Sequence, residues 1–173
     1  MKSIAAFVLM VALTGCAGYS GSGLVAGQST ADEVEALMGP AAETRQDPGG
    51  ETVRYYSRLP YGRQTYAARI GPDGKLIALE QRLTDANVGK IRPGMSRAEE
   101  VRALIGPPYR VETYRNLDRE IWSYKTYSGF SPKNLYVQLS RDGIVREVIV
   151  VDDVPDSALA TPESDARASI LSS

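Results

Sequence analysis

Gly27-Gln28-Ser29-Thr30-Ala31-Asp32-Glu33-Val34-Glu35-Ala36-Leu37-Met38-Gly39-Pro40 returns, without a gap and with most positions identical, as Gly94-Met95-Ser96-Arg97-Ala98-Glu99-Glu100-Val101-Arg102-Ala103-Leu104-Ile105-Gly106-Pro107. Self-similarity of this kind marks a repeated structural unit. Ser29 and Ser96 stand where a helix N-cap belongs, and Asp32 and Glu99 follow three residues later; Ser96 with Glu99 is a capping-box sequence. Val34, Leu37 and Met38 recur at i, i+3 and i+4, as do Val101, Leu104 and Ile105, which gives each stretch one apolar helical face. Gly39 and Gly106 supply the left-handed residue that closes a helix, and a proline follows each. The reading is two helices of about ten residues, each too short to persist without packing.

Outward from each helix the pattern changes from helical to strand-like. Residues 52–58 and 119–127 are rich in aromatic and β-branched side chains, and residues 65–70 and 134–140 alternate apolar with polar. Asp73-Gly74 and Asp142-Gly143 are hairpin turns, after which residues 75–83 and 144–151 close each unit. A short helix over residues 85–91 precedes the second copy, where Pro93-Gly94 makes a sharp turn. The expected fold class is α+β: two tandem units, each a helix plus a three-stranded antiparallel sheet, with the helices on one side of the sheets and the other face open to solvent or a partner. A unit of about 65 residues buries only roughly 60% of its unfolded surface, so the two are expected to pack together. The first unit spans residues 24–84 and the second residues 85–154. Residues 155–173, rich in Ser, Ala, Asp and Pro, read as a disordered tail.

The N-terminus has a different grammar. Lys2 is followed by an uncharged apolar run over residues 4–13 and then by Leu13-Thr14-Gly15-Cys16. A basic start, a short apolar core and a small-residue exit make residues 1–15 a secretory signal peptide. The run is too short to span a bilayer, which takes about 20 residues. Leu13-Thr14-Gly15-Cys16 resembles the lipobox of bacterial lipoproteins. That resemblance implies cleavage before Cys16 and a diacylglycerol on its sulfur. Cys16 is the only cysteine, so an intramolecular disulfide is excluded and an acyl acceptor is the evident use of the thiol. Residues 16–23, rich in Gly and Ser, read as a flexible tether to that lipid. Within the lipoprotein family an aspartate after the cysteine favours retention at the inner membrane. Ala17 stands there instead, which implies an outer-membrane lipoprotein facing the periplasm.

Composition narrows the function classes. Cleavage leaves 158 of the 173 residues, with a charge close to neutral and no basic stretch, so nucleic acid is not an expected partner. Histidine is absent, which removes the commonest general base and the commonest metal ligand. With one cysteine and no histidine, a zinc site would need carboxylates alone; neither a metal nor another cofactor is expected. No nucleophile-base pair is visible, and the serines fall mostly at caps, turns and the tether, so an enzyme is not expected.

The segments between the first and second strands of each unit are the candidate contact sites. Leu59-Pro60-Tyr61-Gly62-Arg63-Gln64 and Ser128-Gly129-Phe130-Ser131-Pro132-Lys133 each put an aromatic ring near a basic side chain at equivalent places in the repeat. Aromatic residues and arginine dominate binding hot spots, which nominates Tyr61, Arg63, Phe130 and Lys133 as partner-binding residues. Trp122 and the tyrosines at 55, 56, 66, 124 and 136 are expected in the core or on a sheet face. Asp152-Asp153, at the end of the last strand, reads as a solvated acidic pair.

The repeated Gly-x-Ser, acidic, Val, Leu-x-Gly-Pro pattern resembles the helix motif of the BamE (SmpA/OmlA) lipoproteins. Its helix-then-hairpin order is similar to that of the two-domain β-lactamase inhibitor proteins. The resemblance covers residues 23–153 and implies a periplasmic α+β binding module. For the first family it implies an accessory role in outer-membrane assembly or maintenance through an envelope protein partner. For the second it implies an inhibitor or sensor that captures an enzyme or a small cell-wall ligand. Two units stand here where BamE has one. The motif residues are caps, core positions and turns, so they speak to fold and leave the activity open.

Overall fold

The computed structural model describes residues 20–154. The signal segment 1–15, Cys16 and the tail 155–173 lie outside them. The elements run α1 (Ala31–Met38), β1 (Glu43–Gln46), β2 (Thr52–Ser57), β3 (Thr65–Ile70), β4 (Leu76–Gln81), α2 (Asp85–Val88), α3 (Ala98–Ile105), β5 (Arg110–Tyr114), β6 (Arg119–Ser128), β7 (Ser131–Ser140) and β8 (Val145–Asp152). Strands β1 to β4 form one antiparallel sheet in sequence order, and β5 to β8 form another. The expectation of a helix plus three strands per unit is therefore corrected to two separate four-stranded sheets with short helices. The strands that sequence did not reveal are β1 and β5. Both are short edge strands of mostly polar residues, Glu-Thr-Arg-Gln and Arg-Val-Glu-Thr-Tyr. Their membership rests on backbone pairing to β2 and β6, and they bury too little to carry an apolar alternation.

The repeat is visible in hydrogen bonds as well as in letters. Each helix is pinned to its own sheet at the turn between the third and fourth strands: Ala31 N donates to Gly74 O and Ala98 N to Gly143 O, both 2.9 Å or shorter. The bulge between Arg69 and Ile70 returns between Gln138 and Leu139. Ser29 and Ser96 do not cap the helices. They are buried, and their hydroxyls accept from the backbone N–H four residues earlier, at Val25 (3.0 Å) and Arg92 (3.1 Å). Meanwhile their carbonyls accept from Leu76 N and Val145 N. The serines thus close the entry loop and tie it to the first residue of β4 or β8. The true N-cap lies one residue later. Thr30 forms a reciprocal capping box with Glu33, whereas Arg97 at the matching place makes no side-chain cap.

The layers are also not those expected. Val34 and Met38 of α1 pack with Tyr56, Ala68, Ile70 and Leu76 on one face of the first sheet. The other face of that sheet, which carries Tyr55, Thr65 and Ala67, is equally buried. It meets the C-terminal end of α3: a Cβ at Gly106 would lie 2.5 Å from Thr65 Cγ2 and 3.3 Å from Tyr55 Cδ1. Gly106 also has φ +82°, so both the backbone and the close approach require glycine. On its far side α3 sets Val101 and Ile105 against Trp122, Tyr124, Leu135 and Val137 of the second sheet. The helices therefore do not share one side. Helix α3 lies between the two sheets, and the first sheet has a helix against part of each face. Leu83, which follows β4, and Leu59 of the first unit join this second core, so burial is shared across the two units.

Candidate functional site

Of the four nominated contact residues, Arg63 turns out to hold the units together with its side chain, and Lys133 contributes its backbone carbonyl. Arg63 lies in the loop between β2 and β3. Its guanidinium donates to the carbonyls of Thr126 (3.4 Å) and Lys133 (3.1 Å) and forms an ion pair with Asp153. The same group stands over the Tyr127 ring, 5.5 Å from its centroid. Asp153 also accepts from Lys125 Nζ (2.9 Å) and Asn134 Nδ2 (3.1 Å). Arg63, Lys125 and Asn134 together hold the Asp153 carboxyl at about 2, well below the ordinary carboxylate range. Lys133 pairs with Asp152 at 2.6 Å. Asp153, just past the end of β8, is thus the anchor of an inter-unit clamp, which a reading of local charge alone could not find, while Asp152 pairs within the second unit. Arg63 and Asp153 are 90 residues apart in sequence.

Tyr61 and Phe130 are different. Both rings are fully exposed. Tyr61 sits on the loop that Arg63 fastens, where Gly62 N closes a turn onto Arg58 O and the Leu59–Pro60 peptide is cis. Phe130 is at the tip of a tight hairpin: β6 runs to Ser128 and pairs with β7 at Ser131, so the expected six-residue loop is mostly strand. Asp85 Oδ2, just after the first sheet, accepts from Gly129 N at 3.2 Å and steadies that tip. Arg63 grips the hairpin at Thr126 and Lys133, a cross-strand pair a few residues below Phe130. The structure therefore brings Tyr61 and Phe130 to one end of the molecule on two hairpins fastened to each other.

A second unusual surface is the outer edge of β8. At its first residue the edge is occupied: Gly94 N donates to Val145 O, and Val145 N to Ser96 O. From Glu147 to Asp152 no described residue pairs with it. Val148, Ile149, Val150 and Val151 follow in succession there, with Val150 and Val151 exposed on opposite faces. An unpaired edge with an apolar rim is a template for another strand.

Between the units lies an open cleft of about 360 Å³, lined by Arg45, Asp47 and Tyr55 on one side and Glu99, Glu100 and Ala103 of α3 on the other. Its walls combine a tyrosine face with charges of both signs.

Compared with family models and with curated proteins, the chain matches none. Among solved structures it is similar to a DUF4309 family protein (YjgB) from Bacillus subtilis, at 19% identity and a TM-score of 0.30, over 76% of this chain and 83% of that one. A likeness that weak carries no argument about fold or activity.

Proposed function

We propose that this chain is a lipid-anchored, non-catalytic interaction module of the bacterial envelope that takes an extended segment of a protein partner along β8. The observation that supports this is the open β8 edge, with its run Val148-Ile149-Val150-Val151. Backbone N–H and C=O groups on such an edge supply affinity for any extended chain, and the alternating side chains supply specificity. Lipid on Cys16 is the second half of the reading and is favoured by the lipobox-like Leu13-Thr14-Gly15-Cys16. The helix motif's resemblance to BamE lipoproteins is what favours outer-membrane assembly or maintenance as the setting.

Crosslinking in intact cells, followed by purification of the lipidated protein and mass spectrometry, tests the reading. The expected result is a defined envelope protein recovered with the wild type and lost with Val151→Lys, because lysine on an edge opposes strand addition. Equal recovery with the variant would remove β8 as the docking edge. Recovery of nothing specific would remove the protein-partner reading itself.

The cleft between the units favours a second reading, capture of a small polar ligand. Chemical-shift changes confined to Arg45, Tyr55 and Glu99 on titration with cell-wall fragments would support it, and their absence would leave the β8 reading alone.

A further inference from the structure

The path of the chain into the first unit ties the exposed rings to the anchor. Gly27 N donates to Leu76 O, and Gly21 lies against Leu79, where an added Cβ would come within 2.0 Å of Leu79 Cδ2. The entering segment therefore runs antiparallel to β4, and traced backward it heads toward Gln81. Gln81 pairs with Tyr66, at the end of the sheet from which the Tyr61 loop projects. Asp85, four residues past Gln81, is the residue that holds Gly129 at the Phe130 tip. Cys16 is five residue steps from Gly21, which span at most about 18 Å. The opposite end of the second sheet, where Met95 and Leu117 are exposed, lies a ten-residue strand further on, about 33 Å. From beside Leu79, that reach is enough to bring a lipid on Cys16 to the end that carries Tyr61 and Phe130.

We propose that this end rests on the bilayer that holds the Cys16 lipid, with the Tyr61 and Phe130 rings at headgroup level. The inference rests on the lipid anchor of the preceding reading. Tyrosine and phenylalanine suit that depth because an apolar ring enters the interface while the hairpin backbone stays wet. The area argues for lipid over protein. Two rings bury about 300–500 Å², and a stable protein interface needs about 1,000 Å² or more. A contact that small suffices when the lipid has already brought the two surfaces together, because the second contact is then effectively intramolecular. The clamp of Arg63 and Asp153 acquires a use in this arrangement: it fixes both tips so that the rings meet one plane. Strand β8, which ends at the same side, then rises away from the membrane with its edge open to a neighbour.

The test uses the full lipidated chain in phosphatidylethanolamine–phosphatidylglycerol vesicles. Single cysteines replace Tyr61, Phe130, Met95 or Leu117 and carry a nitroxide. A thioether-linked lipid leaves Cys16 unreactive, so the intact mass reads the anchor independently. Labels at 61 and 130 are expected to be reached by oxygen in preference to a water-soluble nickel complex, and labels at 95 and 117 to show the reverse. Four labels with the same aqueous signature overturn the docking while leaving the anchor intact. A Cys16 that takes up nitroxide and carries no lipid mass overturns the anchor, and this inference with it.

Discussion

The two copies of the repeat solve one position in opposite ways. Glu35 on α1 and Arg102 on α3 are equivalent, as are Arg54 on β2 and Trp122 on β6, which face those helices. In the first unit Arg54 pairs with Glu35 at 3.1 Å and donates to Ala31 O at 3.2 Å, so its charge is settled inside the unit. In the second, the arginine is on the helix. It stacks over the Trp122 ring, 4.6 Å from the centroid, and its guanidinium pairs with Glu43 of the first unit. One copy is closed on itself, and the other uses the same site to reach its neighbour. Exchanging which element carries the arginine turned a local ion pair into an inter-unit tie.

Truncating the two strand residues should expose that difference most strongly. Trp122→Ala removes a buried indole and the surface on which Arg102 rests, and should cost about 3–5 kcal/mol. Arg54→Ala breaks a partly exposed ion pair and one backbone contact, and should cost about 1 kcal/mol. Urea denaturation of both variants measures the gap; equal losses would mean that the two sites are energetically alike.

The clamp should come next. Arg63→Ala leaves the Asp153 carboxylate short of its principal partner and should cost about 1.5–3 kcal/mol at neutral pH. Because the folded state holds the Asp153 carboxyl at about 2, below the ordinary value of about 3.9, its contribution is fully present above about pH 4. It is lost as the pH falls toward 2. The stability difference between wild type and Asp153→Asn should therefore shrink from pH 4 to pH 2. A difference that stays constant across that window would show that the carboxylate charge does not matter to the clamp.

A smaller contrast concerns two tyrosines that face their helices from matching places. Tyr124 Oη donates to Gly106 O at 3.2 Å, and burial pushes its phenol far above the ordinary range. Tyr56 Oη is buried near the Arg54 guanidinium but, among the described residues, makes no hydrogen bond of ordinary geometry. Tyr124→Phe should cost about 1 kcal/mol, and Tyr56→Phe should cost less, since its hydroxyl has only a loose approach to Arg54 to lose. Thermal unfolding of the pair checks the order as well as the size.

What could be read from the sequence divides along the same physical line. The repeat, the turns at Asp73-Gly74 and Asp142-Gly143 and six of the eight strands were legible, because period-two burial and turn chemistry are local. Strands β1 and β5 were not, because Glu43 to Gln46 carries no apolar alternation and is a strand only by pairing with β2. Exposure at the nominated contact residues was partly legible. An aromatic beside a basic residue looks the same in sequence whether the cation points outward or across to another unit. Tyr61 and Phe130 proved exposed, while Arg63 is drawn across the units by Asp153 and Lys133 pairs with Asp152 on the neighbouring strand, near the far end of the described chain. Face assignment failed for a related reason. The burial of Tyr55, Thr65 and Ala67 depends on a helix end some 40 residues away, which no local pattern records.

The finest test restores a difference that the repeat itself created. Thr30 caps α1 and completes a box with Glu33: Glu33 N donates to Thr30 Oγ1 at 3.2 Å, and Thr30 N to Glu33 Oε2 at 2.8 Å. At the matching place α3 has Arg97, already extended at φ −104° and ψ 161°, with Glu100 three residues on. The backbone is thus set for a box, and only the hydroxyl is missing. Arg97→Thr should raise stability by about 0.5–1 kcal/mol, and Thr30→Ala should lower it by a similar amount. If Arg97→Thr instead destabilises, the arginine does something in the second unit that its copy in the first does not need. The two copies would then differ by selection at that position, where the present geometry shows only a lost cap.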